Sequence, residues 1–234
     1  MKKVRTIPLS KSVFEDNDRQ AALLREKLRQ SGVLLVNVMS SPGAGKTTAL
    51  IALIRLLREK YRIGVMEADI DSDVDAVKVA EKTGCRSVQL HTGGMCHLDA
   101  GMTEQGLAQL GVEDLDLVFL ENVGNLVCPA EYDTGAHLNM TILSVPEGDD
   151  KPLKYPLIYE KCGLVLISKA DTLPYFPGFR MDRCRENIRC RNRDAEIIPI
   201  SAKTGENMEI AAEFFIKEVK KLKEDTQCLN KAIK

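Results

Sequence analysis

The stretch SSPGAGKTT, residues 40–48, decides the fold of this chain. It follows a nearly continuous apolar run, residues 33–39, which is typical of a strand buried on both faces of a sheet. It opens a segment with helical periodicity, residues 47–61. Gly45-Lys46-Thr47 matches the end of the Walker A pattern, and its position between a strand and a helix predicts a phosphate-binding loop rather than an ordinary glycine-rich turn.

The residue types of this loop suit distinct tasks. Small residues let successive backbone N–H groups and the N-terminus of the following helix approach a β-phosphate. Lys46 is expected to reach the β- and γ-phosphates as a catalytic group, and the hydroxyl of Thr47 is expected to bind Mg²⁺. Ser40 departs from the pattern, which has its first glycine there. The loop residues predicted to bind nucleotide are Pro42, Gly43, Ala44, Gly45, Lys46, Thr47 and Thr48.

Two later motifs favour guanine over adenine. SKAD, residues 168–171, resembles the N-K-x-D element of GTPases, with Ser168 in place of Asn. Asp171 can accept hydrogen bonds from N1–H and N2–H of guanine, a donor pair that adenine lacks. SAK, residues 201–203, resembles the loop that presents an amide to guanine O6, and a P-loop kinase has no reason to carry both motifs. The residues predicted to bind the base are Lys169, Asp171, Ser201, Ala202 and Lys203.

Acidic residues follow two other predicted strands. The second strand ends at Asp69, and the fourth ends in Glu121-Asn122-Val123-Gly124, where GTPases carry D-x-x-G. Carboxylates at the ends of parallel strands flank the phosphate loop, where they can hold Mg²⁺ or orient the attacking water. The assignments are Asp69 and Glu121 for Mg²⁺, Asp75 and Glu121 for catalysis, Gly124 for the γ-phosphate, and a solvated acidic loop for Asp71 and Asp73.

Strand and helix patterns alternate along the chain, which predicts an α/β fold with a mostly parallel central sheet and helices on both faces. We expect one GTPase domain over residues 1–234, with an N-terminal helical segment (about 1–31) packed on it. A first helix over residues 18–30 is predicted to start at Asn17 as its N-cap. The remaining predicted elements are strands at 62–69, 87–91, 115–122, 138–145, 163–171 and 196–203 and a last helix at 207–223.

Composition and charge exclude other classes of protein. The formal net charge is -1 and the basic residues are dispersed, so nothing points to a nucleic-acid partner. The apolar runs are shorter than the roughly 18 residues that a membrane span needs, and the basic N-terminus has no apolar region of a secretory signal. We therefore expect a cytoplasmic protein with no membrane partner. Its seven cysteines are then core residues, catalytic groups or metal ligands rather than disulfides.

Motifs across nearly the whole chain resemble those of the HypB family. The members of that family are GTPases of the SIMIBI class of P-loop proteins. That family assists nickel insertion during maturation of [NiFe]-hydrogenase. The related UreG family, which serves urease, has Cys-Pro-His where this chain has Cys96-His97 with no proline, and this favours HypB. The matching stretches are NVMSSPGAGKTT, EADIDSDVDA, HTGGMCHLDA, LENVGNLVCPAEYD, SKAD and SAKTGEN.

The resemblance implies a metal site formed by Cys96, His97 and Cys128. Two thiolates and an imidazole suit Zn²⁺ or Ni²⁺, and a fourth ligand can be water or a residue from a second subunit. Alone, the Cys–His pair is better explained as a buried thiol beside a surface histidine. Because Cys128 follows Gly124 closely, we expect the GTP state to alter metal geometry and affinity.

The resemblance further implies slow GTP hydrolysis, a homodimer favoured by GTP, and two partners, a HypA-like maturation protein and the hydrogenase large subunit. Many HypB chains carry a histidine-rich or cysteine-rich N-terminal extension, and this N-terminus has neither, so the Cys-His-Cys site is expected to do the nickel work. Two alternatives stay open. One is a urease-directed GTPase of the UreG type, and the other is a dimerisation module in which nucleotide acts together with a structural zinc.

Overall fold

The structure, a computed structural model, describes residues 9–69 and 74–232. Seven strands form one sheet in the order β3-β2-β4-β1-β5-β6-β7, and every neighbouring pair is parallel. The strands are β1 (Leu34–Ser40), β2 (Ile63–Asp69), β3 (Arg86–His91), β4 (Leu117–Glu121), β5 (Leu138–Ser144), β6 (Leu164–Ser168) and β7 (Glu196–Pro199).

Helices join the strands and cover both faces of the sheet. They are α1 (Leu9–Gln30), α2 (Lys46–Leu57), α3 (Val74–Thr83), α4 (Ala100–Leu110), α5 (Cys128–Glu131), α6 (Lys151–Lys154), α7 (Pro156–Lys161), α8 (Met181–Arg189) and α9 (Met208–Ala232). Two short 3-10 helices span Val145–Glu147 and Ala170–Tyr175.

The core divides along the two faces because side chains alternate along each strand. Val36 of β1 packs with buried residues of α2, α3 and α9 on one face. Its neighbour Leu35 packs with residues of α1 and α4 on the opposite face. The rest of that opposite face, over β5, β6 and β7, is covered by α7 and α8. The predicted α/β fold, a parallel sheet with helices on both faces, is confirmed.

One sequence prediction about the first helix is wrong. The helix begins at Leu9, so Asn17 lies inside it and is not its N-cap. The Asn17 side chain is 8% exposed and bonds to two distant backbone groups instead of to its own helix. Asn17 therefore serves the tertiary structure. The predicted solvated loop at Asp71 and Asp73 lies outside the described residues.

The carboxyl ends of the strands set the position of the site. β1 lies between β4 and β5, and the chain leaves β1 toward α2 on one face and leaves β4 toward α5 on the other. Such a switch point in an open parallel sheet is where ligands bind. In the part of the chain that the structure describes, no helix combines the length and the apolar character needed to cross a bilayer.

Candidate nucleotide and metal sites

The phosphate loop connects β1 to α2. Gly45, at the start of α2, has a φ of 96°, a left-handed conformation that glycine adopts without a steric penalty. The Lys46 ammonium donates a hydrogen bond to the Ser40 hydroxyl at 3.1 Å, so the serine that replaces the first motif glycine contacts the lysine. Thr47, at the base of the loop, donates its hydroxyl hydrogen to a carboxylate oxygen of Glu121 at 2.9 Å.

A cavity of about 610 Å³ opens beside this loop at the ends of β1, β2 and β4. Of the predicted nucleotide-binding loop residues, only Ala44 does not line it, because its side chain is buried beneath the loop. The base-binding candidates Asp171, Ser201, Ala202 and Lys203 lie outside this cavity. The predicted residues that do line it are Pro42, Gly43, Gly45, Lys46, Thr47, Thr48, Asp69, Asp75, Glu121, Gly124 and Lys169.

Three carboxylates in this cavity, those of Glu67, Asp75 and Glu121, lie close together. Their candidate ligand oxygens are all within 4.8 Å of one another, and no other three residues of the described chain offer such a set of possible metal ligands. Glu67 and Glu121 are register partners on adjacent strands, and both are buried. Each of these two has one carboxylate oxygen without a hydrogen-bond partner. Buried carboxylates with free oxygens fit a hard divalent cation such as Mg²⁺.

Burial also shifts the protonation of these groups. Burial, together with the nearby carboxylates of Glu121, Asp75 and Asp69, raises the pKa of Glu67 to about 8. Burial raises the pKa of Glu121 to about 7, against the opposing effects of Lys46 and Thr47. A bound cation would offset the repulsion within this group, because it favours the charged form of each carboxylate.

Glu67 is a candidate that sequence reasoning missed. It stands within the otherwise apolar strand IGVMEAD, two residues before Asp69, so both side chains lie on one face of the sheet. The available signal was the type of residue, because an acidic side chain inside a buried strand rarely lacks a partner or a function. Asp69, which was predicted to bind Mg²⁺, lines the same cavity but is not one of the three clustered carboxylates.

The SKAD and SAK segments lie beside each other and beside the phosphate loop. The Ala170 amide donates to the carbonyl of Ile200 at 3.0 Å, which joins the two segments. Ser168 donates its hydroxyl hydrogen to the carbonyl of Ala44 at 2.6 Å, and Lys169 donates to the carbonyl of Gly43 at 2.9 Å. The SKAD segment is thus bonded directly to the loop predicted to hold the phosphates, and the strand end that leads into SAK is bonded to SKAD. Asp171 is half-buried, Ser201 is buried, and Ala202 and Lys203 follow Ser201 in a turn.

The predicted metal ligands lie in the segments that follow β3 and β4, beyond the carboxyl ends of these strands. The thiols of Cys96 and Cys128 are neighbours, and the nearby Cys96 thiol, together with burial, raises the pKa of the Cys128 thiol. The Cys96 sulfur lies 4.0 Å from Nδ1 of His97. The three candidate ligand atoms are nevertheless not all within 4.8 Å of one another, as far as the described residues go.

His97 is held by an aromatic neighbour. Its imidazole stacks on the ring of Tyr132, with 3.7 Å between ring centroids and 15° between ring planes. Burial lowers the pKa of His97, against the opposing effects of Asp99 and Glu131, so the neutral form that binds metal is favoured. The cysteines to which no metal was assigned are two buried residues, Cys162 and Cys184, the half-buried Cys85, and the exposed Cys190 and Cys228.

The chain is similar to known proteins over most of its length. Residues 33–199 match the family model described as CobW/HypB/UreG, nucleotide-binding domain. The chain is 41% identical over 209 residues to the hydrogenase maturation factor HypB of Rhizobium leguminosarum bv. viciae, covering 89% of this chain and 69% of that protein. It is 44% identical over 188 residues to the hydrogenase/urease maturation factor HypB of Helicobacter hepaticus, covering 79% of this chain and 76% of that protein.

A solved structure is similar over nearly its whole length. The crystal structure of HypB from Helicobacter pylori in complex with nickel superposes with a TM-score of 0.82 at 38% sequence identity. The match covers 88% of this chain and 96% of that one.

Proposed function

This chain belongs to the HypB family of the CobW/HypB/UreG nucleotide-binding proteins, and from that premise we propose that it is a GTP-hydrolysing metallochaperone for nickel. It binds Ni²⁺ or Zn²⁺ through Cys96, His97 and Cys128 and assists nickel insertion into [NiFe]-hydrogenase. The observation that carries the proposal is the proximity of the Cys96 and Cys128 thiols, whose two separate segments are also joined by a hydrogen bond from the Asn125 side-chain amide to the Cys96 carbonyl at 3.4 Å. Thiolates and imidazole are ligands that both metals accept.

The proposed reaction converts GTP and water to GDP and phosphate, with slow intrinsic turnover. The loop amides and Lys46 bind the phosphates, and Asp171 selects guanine. Mg²⁺, when bound, neutralises charge on the phosphate oxygens; Thr47 and Glu121 would hold it, together with Glu67 or Asp69. Asp75, in the same cavity, is the candidate that orients the attacking water, with Glu121 as the alternative.

A close contact supports coupling between nucleotide and metal. A Cβ atom added to Gly124 would lie 3.3 Å from the backbone nitrogen and Cα of Pro42, so Gly124 packs directly on the phosphate loop. The chain then reaches Cys128 at the start of α5, within a short loop. A shift of this segment on hydrolysis would therefore move Cys128 relative to Cys96 and change metal affinity.

Exposed apolar residues beside the cysteines support a homodimer. Met95 is 43% exposed and Val127 is 46% exposed, and each precedes one of the two cysteines. Burying such side chains against a second copy would be favourable, and that copy could complete the metal coordination. The proposed partners are a HypA-like maturation protein and the hydrogenase large subunit. We also propose that the chain forms one GTPase domain and acts in the cytoplasm.

The first test is the affinity of purified protein for nickel and for zinc, with GDP and with a non-hydrolysable GTP analogue. Wild type is compared with Cys128→Ala and with Cys190→Ala, which removes an exposed thiol elsewhere. We expect nucleotide to shift metal affinity in wild type and in Cys190→Ala, and Cys128→Ala to lose both binding and shift. Equal, non-exchanging binding in both nucleotide states would instead indicate a structural metal.

A second candidate client is urease, because the relative from Helicobacter hepaticus is named as a maturation factor for both hydrogenase and urease. Nickel transfer to the apo form of each enzyme, measured side by side, separates the two clients. Phosphate release at a rate above background separates either role from a dimerisation module that does not turn over GTP.

A further inference from the structure

Helix α1 contacts both chain segments that carry the proposed metal ligands. The side-chain oxygen of Asn17 accepts a hydrogen bond from the Ala100 amide at 2.9 Å, and its side-chain nitrogen donates to the Asp133 carbonyl at 3.0 Å. Ala100 opens α4, three residues after His97, and Asp133 follows the short helix that Cys128 begins. One buried amide of α1 therefore joins the two segments.

A stack of rings makes a second connection between α1 and the same site. Phe14 of α1 packs on Tyr132 with 4.9 Å between ring centroids, and Tyr132 in turn stacks on the imidazole of His97. Phe14 thus contacts Tyr132, and Asn17 contacts Asp133, the two residues that follow α5 directly. The rings of His97, Tyr132 and Phe14 therefore form a continuous series of contacts from the metal site to α1.

An ion pair fixes the Cys128 segment further. Arg25 of α1 makes two hydrogen bonds to the carboxylate of Asp133, at 2.6 and 2.7 Å, and a third to the carbonyl of Ala136 at 2.8 Å. By contrast, Lys27 pairs with Glu104 of α4 at 3.2 Å in an exposed position farther along both helices. Of these polar contacts of α1, the one made by Asn17 spans both ligand segments.

We propose that Asn17 is a positioning residue for the metal site, which sets the separation of the Cys96–His97 segment from the Cys128 segment while Tyr132 orients His97. This inference rests on the proposed Cys-His-Cys site. Metal–ligand bonds tolerate little variation in length, so ligands from distant segments need supporting contacts that hold both segments in place. Asn17 does this through backbone groups, and it touches none of the three ligands itself.

The experiment compares the full-length variants Asn17→Ala and Lys27→Met with wild type. Each is titrated with nickel in competition with a chromophoric chelator, and the thiolate-to-nickel charge-transfer band is recorded. We expect Asn17→Ala to weaken nickel binding by roughly 10-fold and to shift the band, as is typical for loss of an outer-shell contact. Lys27→Met should match wild type, and the affinity of both variants for GDP should be unchanged.

A second pair of variants tests the proposal without changing Asn17. Tyr132→Phe keeps the ring that stacks on His97 and should bind nickel as wild type does, whereas Tyr132→Leu should weaken binding and shift the band. If Asn17→Ala does not fold, two other comparisons decide the question. One is Asn17→Asp, which keeps the oxygen that accepts from Ala100, and the other is the Tyr132 pair.

The inference is overturned if folded Asn17 variants and Tyr132→Leu bind nickel with the affinity and spectrum of Lys27→Met. Failure of the proposed function itself gives a different result, because Cys128→Ala would then retain nickel binding. Loss of binding in Cys128→Ala together with wild-type behaviour of the folded Asn17 variants and of Tyr132→Leu rejects only the positioning role.

Discussion

The hydroxyl of Ser168 donates a hydrogen bond of 2.6 Å to the carbonyl oxygen of Ala44, and so joins the end of β6 to the phosphate loop. The bond is buried, because neither residue is more than 5% exposed. The serine that stands in place of asparagine in SKAD therefore still supplies a donor to the loop. The segment proposed to bind the base and the loop proposed to bind the phosphates are one hydrogen-bonded unit.

Removal of this hydroxyl in Ser168→Ala should weaken GDP binding by roughly 5- to 10-fold, because a net hydrogen bond contributes about 1 kcal/mol and its loss leaves the Ala44 carbonyl unpaired. Displacement of a fluorescent GDP derivative measures the change. Thr226→Ala is the matched control, since it removes a hydroxyl bonded to the Arg29 carbonyl far from the nucleotide loop. Equal GDP affinity in both variants and wild type would contradict the role of Ser168.

Base selection should change in Asp171→Asn. An asparagine amide can donate to the C2 carbonyl of xanthine but cannot accept from both N1–H and N2–H of guanine. We expect GDP affinity to fall by at least about 100-fold and xanthosine diphosphate affinity to rise. Isothermal titration with both nucleotides tests this, with Asp182→Asn on the exposed side of α8 as control. If GDP still binds tightly to Asp171→Asn, the base is read by other residues.

Glu67→Gln should raise the Mg²⁺ concentration needed for half-maximal phosphate release, by at least about 10-fold. The substitution keeps the size of the side chain and removes the negative charge that a bound Mg²⁺ would favour on Glu67. A titration of GTP hydrolysis against Mg²⁺ measures the effect, and Glu59→Gln, an exposed position at the opposite edge of the sheet, serves as control. An unchanged Mg²⁺ requirement would remove Glu67 from the site.

Acid should destabilise the fold through His137. Its ring accepts a hydrogen bond from the Leu35 amide at Nδ1 and donates from Nε2 to the Arg25 carbonyl, an arrangement that requires the neutral form. Burial lowers the pKa of His137 to about 4. Between roughly pH 6.5 and pH 4 the unfolded chain therefore binds a proton that the folded chain does not, and the free energy of unfolding falls as the pH falls.

Between pH 7 and pH 5 the titration of His137 should lower the free energy of unfolding by about 2 kcal/mol. Urea titrations at the two pH values measure this loss. His137→Gln should reduce that loss by the same amount, because glutamine does not titrate. The exposed residue His91 provides the control variant His91→Gln, which should keep the wild-type dependence. A dependence that survives in His137→Gln would assign the acid sensitivity to other groups.

The fold could be predicted from the sequence because its strands and helices are encoded by short local patterns. The apolar run at 33–39 and the helical periodicity after it correspond to β1 and α2, although α2 ends at Leu57 rather than at residue 61. The motifs stand at strand ends, and parallel strands place those ends at one edge of the sheet. The cysteine pair was reached through the family resemblance, because residues 96 and 128 share no local pattern.

Long-range contacts were not predicted. The two partners of Asn17 lie 83 and 116 positions away along the chain, so the residue was interpreted by its immediate neighbours as an N-cap. Glu67 was missed as a site residue for a different reason. Its strand is apolar enough to be recognised as buried, and only the register of β2 against β4 shows that Glu67 faces Glu121.

The bonding of Asn17 to backbone groups has a consequence for how this protein can diverge. Substitutions at positions 100 and 133 leave the amide and the carbonyl in place, so they cannot compensate for a change at position 17. The ion pair between Arg25 and Asp133 joins two side chains, so a conservative change at one of these positions can be matched at the other by a residue of opposite charge. Among chains that share this site, position 17 should therefore tolerate few residues, whereas positions 25 and 133 should vary as a correlated pair.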